Sequence, residues 1–252
     1  MLKRLLQINH EFWNHERSLK ALLIYLSLSL FVWMPMPTYR WWGFIISDFL
    51  FYLIILSGVF AVLTRWRRQI IFITIALLTC SVRIISFFSD SDWVLLASYV
   101  VSIMFFVLLG RMVVFHIFKD GPVNFYRIQG SIIVFIIIGI VYAFLYTLIE
   151  ALIPTSFAST DLTRPLQTSF SQFLYFSFVT MTTLGYGDMI PIGPIAKSFV
   201  IAQGMIGLLY PVIMIARLVS MEVAHSTAIK VICLKFSQLL NLTKQFIDII
   251  KR

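Results

Sequence analysis

The sequence predicts an all-α membrane protein: six transmembrane helices and one further short helix that enters and leaves the bilayer on the same face. Three observations carry this reading. Of 252 residues, 60% are hydrophobic and 12% charged, with a mean hydropathy of +0.93; a domain folded in water carries about 25% charged residues. Uncharged runs recur at about 20 residues, the length that crosses a bilayer as helix. Lys and Arg fall in alternate short loops and at the two ends, which is the positive-inside pattern. The net charge of +9 therefore marks loops facing anionic lipid and cytoplasm, not a nucleic-acid surface.

Taken in order, residues 1–17 read as an amphipathic interfacial helix with Leu5, Leu6, Phe12 and Trp13 against lipid. No small-residue cleavage site follows the first apolar run, so the N-terminus is expected to be retained. The first span covers 19–34 and stops at Pro35 and Pro37. The next four cover 42–63, 70–88, 93–115 and 128–152. An apolar segment at 170–181 is too short to cross, and the last span, 195–219, leads into a mixed tail ending at Arg252. Grouped, these give an interfacial helix (1–17), a four-helix block (18–118), a two-helix module with the short segment inside it (119–222) and a terminal helix (223–252).

The loops fix the orientation. Lys3, Arg4, Arg17 and Lys20 precede the first span; Arg65, Arg67 and Arg68 separate the second and third; Lys119 and Arg127 separate the fourth and fifth. On the other side lie Arg40, then Asp90 and Asp92, then Asp161 and Arg164. Both termini are then cytoplasmic, and six crossings leave the 170–181 segment as a re-entrant half-helix opening outward. Cys80 sits in an apolar span and Cys233 in the tail, so neither suggests a disulfide framework or a metal site. His10, His15, His116 and His225 have no ligand spacing, and no nucleophile motif occurs. The chain is not expected to be an enzyme, and no cofactor is implied.

Directly after the half-helix stands Thr182-Thr183-Leu184-Gly185-Tyr186-Gly187-Asp188. Non-helical backbone at membrane depth is tolerated only where protein buries it or where it lines a water-filled path. Stripping water from a cation needs successive carbonyl oxygens turned towards one axis. Extended L-residues alternate their carbonyls, so some positions need positive φ, and Gly185 and Gly187 supply it without steric cost. The Thr183 hydroxyl and carbonyl add a lower ring. Tyr186 is expected to point its ring outward, bracing the row.

The stretch FLYFSFVTMTTLGYGDMIP, residues 173–191, resembles the pore region of tetrameric potassium channels, and the fifth span through Arg217 resembles the two-helix pore module of bacterial ion channels. The resemblance implies a homotetramer in the cell membrane that passes K+ passively. It places K+ on oxygens of Thr183, Leu184, Gly185 and Tyr186, with Gly187 at the outer mouth and Thr182, Asp188 and Glu150 as support. Leu184 stands where the family has Val or Ile, and contributes a carbonyl all the same. Val179 stands where some bacterial relatives carry Glu. Gly207 matches the family's hinge glycine, with Pro211 one turn below; Gly204 is read as a close-packing position. In similar channels a glutamate at the position of Glu150 caps backbone amides; a solvated carboxylate is the other reading. The first four spans are then voltage-sensor-like.

Asp48 and Arg83 lie roughly 8 and 10 Å below the outer ends of their spans, at about 1.5 Å per residue, and are expected to pair. The fourth span carries only Arg111, so gating charges are missing and the channel is expected not to be voltage-gated. In the tail, Ile229, Ile232, Phe236, Leu239, Phe246 and Ile250 fit a tetrameric bundle. Leu234, Leu240, Leu242, Ile247 and Ile249 broaden the apolar face and favour the inner leaflet. A different class of function, a non-conducting or regulatory subunit of another channel, stays as the alternative.

Overall fold

The computed structural model describes residues 19–31, 49, 51–58, 66–88, 91–118, 125–160 and 169–250. The interfacial helix expected at 1–17, most of the second span, and Asp48 with its expected pairing to Arg83 lie outside them. Described residues are mostly helical, with one small ribbon and non-helical backbone at 153–156 and 182–188. The helices are α1 (Leu19–Phe31), α2 (51–58), α3 (Trp66–Phe88), α4 (Asp92–Ile117), α5 (Phe125–Leu152), α6 (Phe170–Met181) and α7 (Pro194–Ile250). Strand β1 (Phe157–Ser159) pairs antiparallel with β2 (Met189–Pro191), Ala158 standing opposite Ile190.

Three of these helices are long and apolar enough to cross a bilayer: Asp92–Phe115, Phe125–Leu152 and Pro194–Ala224. Leu19–Phe31 and Phe72–Ser86 are shorter apolar helices. The chain is a mostly helical membrane protein.

In lipid, helices are held by close packing rather than by exclusion of water. Phe105, Phe106, Leu109, Val113 and Ile117 form one buried stripe of α4, at helical spacing, against Ile133, Ile137, Ile140 and Phe144 of α5. Phe51 of α2 reaches Phe106 edge-on at 5.7 Å, and Phe106 stacks with Phe144 at 6.0 Å. Arg83 of α3 lays its guanidinium 4.1 Å from the centre of the Phe51 ring, a cation–π contact that makes a half-buried charge tolerable in an apolar block.

α5 stops where Pro154 approaches, because the residue before a proline is pushed out of helical backbone. α7 does not stop at the expected membrane boundary. It runs unbroken for 57 residues with Pro211 inside it, since no Gly or Pro occurs between Val212 and Ile250.

Candidate functional site

α6 spans the residues of the expected half-helix, and its twelve residues reach about 18 Å at 1.5 Å per residue, well short of a crossing. Phe173, Leu174, Phe176 and Ser177 are buried, so α6 sinks into the module on one side. Gly139 of α5 allows this: a Cβ there would come within 2.6 Å of the Phe178 ring. The helix closes on Thr182, whose amide and hydroxyl both donate to the Phe178 carbonyl, at 2.9 and 2.6 Å. The amides of Leu184 and Gly185 then turn back onto the Val179 carbonyl, at 3.0 and 3.4 Å.

From there φ is positive at every second residue: +61° at Thr183, +53° at Gly185 and +76° at Gly187. Leu184 and Tyr186 do not share it. Reversal at alternate residues is the backbone pattern that can turn a strand's opposed carbonyls to one side, giving a candidate row of backbone oxygens with no ionisable side chain before Asp188 other than the Tyr186 phenol. Positive φ at Thr183 is not expected from the sequence. A β-branched residue is disfavoured there, and the fold of Leu184 and Gly185 back onto Val179 enforces it. Added Cβ atoms at Gly185 or Gly187 would meet nothing within 4 Å, so the glycines answer a conformational demand and not a steric one. In the single chain Leu184 and Tyr186 are 58% and 67% exposed.

Above the row, the β-ribbon ties the α5–α6 connection to the segment leaving the motif. Thr160 donates its amide to the Asp188 carbonyl at 2.9 Å and its hydroxyl to the Gly187 carbonyl. Asp188 accepts through Oδ1 from the Met189 amide at 3.1 Å. Glu150 ends α5 nearly buried, accepting the amides of Thr155 at 2.9 Å and Phe157 at 3.1 Å. It caps the turn that launches β1. An aromatic floor of Tyr146, Phe157, Phe173 and Phe176, with ring centres 5.1 to 5.7 Å apart, lies beneath.

This gives a first expected outcome. Glu150→Ala removes the acceptor from two amides, at about 1–3 kcal/mol for a buried donor, and Glu150→Gln keeps one acceptor oxygen. Thermal unfolding in detergent should rank wild type above Gln above Ala; equal midpoints would show that the cap contributes nothing.

At the Thr182 end of the motif, Gly207 of α7 lies against the end of α6. A Cβ there would collide with the Met181 carbonyl oxygen and approach Met181 Cα to 2.9 Å. Helix α7 is continuous through both Gly207 and Pro211. At Gly204, read as a close-packing position, an added Cβ would meet nothing within 4 Å in the single chain. Sequence reasoning missed the polar partners Tyr146, Ser177 and Gln203, because single polar residues in apolar helices declare themselves only once paired.

Residues 130–224, from α5 into α7, match the model of a family described as ion channels. Over 41 residues, 16% of this chain, the sequence is 46% identical to the inward rectifier potassium channel Kirbac3.1 of Paramagnetospirillum magnetotacticum. That stretch is 14% of the relative's own length. No solved structure matches significantly. The module of α5, α6 and the first part of α7 is thus similar to an ion-channel pore of the potassium type.

Proposed function

We propose that the chain is the subunit of a homotetrameric, potassium-selective channel that conducts K+ passively across the cell membrane. The alternating φ from Thr183 to Gly187 carries the reading. Four copies around an axis would bring carbonyl oxygens of Thr183, Leu184, Gly185 and Tyr186 into rings that replace the hydration shell of K+. Gly187 shapes the outer mouth, with Thr182, Asp188 and Glu150 holding the ends. The exposed motif and the apolar, largely exposed Pro194–Ala224 stretch of α7 favour assembly, since both need covering by further copies or lipid. Six spans, cytoplasmic termini and a four-helix block over 18–118 complete the proposal. Gly207 and Pro211 are the points where α7 would bend to open the inner end.

Purified protein alone in liposomes should pass K+, and planar-bilayer reversal potentials in mixed gradients should follow the K+ gradient. Equal K+ and Na+ permeability would reject selectivity. No flux from the purified protein would favour the regulatory-subunit reading.

Gating should be nearly independent of voltage. A charge carried fully across the membrane field is worth about 2.3 kcal/mol per 100 mV, and α4 offers only Arg111, six residues before its inner end. Arg83 belongs to α3 and sits against Phe51. The conductance–voltage curve in symmetric K+ should be shallow; a steep sigmoid worth several charges per subunit would overturn this.

A further inference from the structure

A buried polar chain crosses the pore module away from the carbonyl row. The Tyr146 hydroxyl of α5 donates to Gln203 Oε1 of α7 at 2.5 Å. Gln203 Nε2 donates to the Ser177 carbonyl of α6 at 3.1 Å and to Ser177 Oγ at 2.6 Å. Ser177 Oγ donates in turn to the Gly139 carbonyl of α5 at 2.7 Å. Tyr146, Ser177 and Gln203 are fully buried. The Gln203 amide is satisfied at both ends, and so is the Ser177 hydroxyl. At membrane depth an orphaned polar group has no water to turn to, so the chain fixes three helices against one another in one arrangement.

Its position makes that arrangement matter for the motif. Ser177 and Met181 lie one turn apart on α6, and they face Gln203 and Gly207, one turn apart on α7. Two residues beyond Ser177, the Val179 carbonyl receives the amides of Leu184 and Gly185. The rotation and depth of α6 therefore set where the carbonyl row begins, and Gln203 is the polar side chain of α7 that fixes them.

We infer that Gln203 is a positioning residue for ion selection: acting through Ser177, it holds α6 in the rotation that aligns the carbonyl row, and it touches no ion. The inference rests on the channel reading above. A purely structural staple would add stability and leave selectivity alone, so the two roles separate by experiment.

The full-length protein is reconstituted in bilayers and its K+/Na+ permeability ratio read from reversal potentials, beside thermal unfolding in detergent. A wild type without selective K+ current sinks the channel reading itself. Given a selective wild type, Gln203→Met keeps the volume and loses every bond, and Gln203→Glu keeps the acceptor for Tyr146 but loses the donors to Ser177. Both should lower the ratio by about tenfold, the scale of one hydrogen bond. Tyr146→Phe cuts only the α5–α7 link and leaves Ser177 bonded to Gly139; it should unfold at lower temperature and keep the wild-type ratio. Assembled Gln203→Met and Gln203→Glu channels with wild-type ratios would overturn the inference. Should neither assemble, Ser177→Ala decides by the same criterion: a lowered ratio supports it, a wild-type ratio overturns it.

Discussion

Gly185→Ala channels are expected to carry no potassium-selective current. The reason is backbone conformation and not crowding. Gly185 sits at φ +53°, and a Cβ added there would meet nothing within 4 Å of the single chain, so within the chain the methyl group has room. It does not have the conformation. An L-residue in the left-handed region costs about 1–2 kcal/mol, incurred once per subunit and so roughly fourfold in a tetramer. Thr183 already carries a strain of this kind one step below. The cheaper outcome for the variant is to return residue 185 to negative φ, which turns its carbonyl away from the row and breaks the alternation that begins at Thr183. Mixed-gradient reversal potentials on Gly185→Ala protein test this directly. Current that still follows the K+ gradient would show that the alternation does not set selectivity. A D-alanine at the same position, introduced by semisynthesis, accepts positive φ and should restore selective current.

The motif and its half-helix are legible in the sequence because their constraints are local. A short apolar run between polar loops gives α6, Pro154 stops α5 two residues earlier at Leu152, and paired glycines announce positive φ. What is not legible depends on distant partners. The strands Phe157–Ser159 and Met189–Pro191 are three residues each, too short to show a period of two, and exist through pairing about thirty residues apart. Glu150 reads equally as a solvated acid until the amides of Thr155 and Phe157 arrive at its oxygens. Thr183 opposes its own propensity, and only the return of the Leu184 and Gly185 amides to Val179 explains its φ.

The ribbon adds a restraint that composition does not suggest. Thr160 binds the carbonyls of Gly187 and Asp188 from outside the row, and Glu150 anchors the strand that leads into Thr160. The Asp188 end of the motif is thereby tied to α5, and the Thr182 end to α7 through Ser177 and Met181. A segment with strained backbone persists where its surroundings over-determine it, and here both ends are held by separate elements.

Gly207→Ala is expected to disrupt the pore rather than merely stiffen it. On helix propensity alone the change should help, since Ala is about 1 kcal/mol better than Gly inside a helix, and α7 is continuous at this point. The contact decides otherwise. A Cβ at 207 collides with the Met181 carbonyl oxygen and comes within 2.9 Å of Met181 Cα, and these are backbone atoms that cannot swing aside as a flexible side-chain tip can. Overpacking of this sort costs about 1–3 kcal/mol, and relief requires α6 to back away from α7, one residue before Thr182. Gly207→Ala should therefore assemble less well and lose K+ selectivity in the channels that remain. Pro211→Ala, one turn below, restores a helix hydrogen bond away from α6; it should shift open probability and keep the K+/Na+ permeability ratio. Gly204→Ala, with open space around its Cβ in the chain, serves as the propensity control. Assembly yield, permeability ratio and open probability, measured on all three, separate the roles. Wild-type selectivity with altered open probability in Gly207→Ala would assign the glycine to bending alone; lost selectivity in that variant, with the ratio kept in Pro211→Ala, would assign it to the seat of α6.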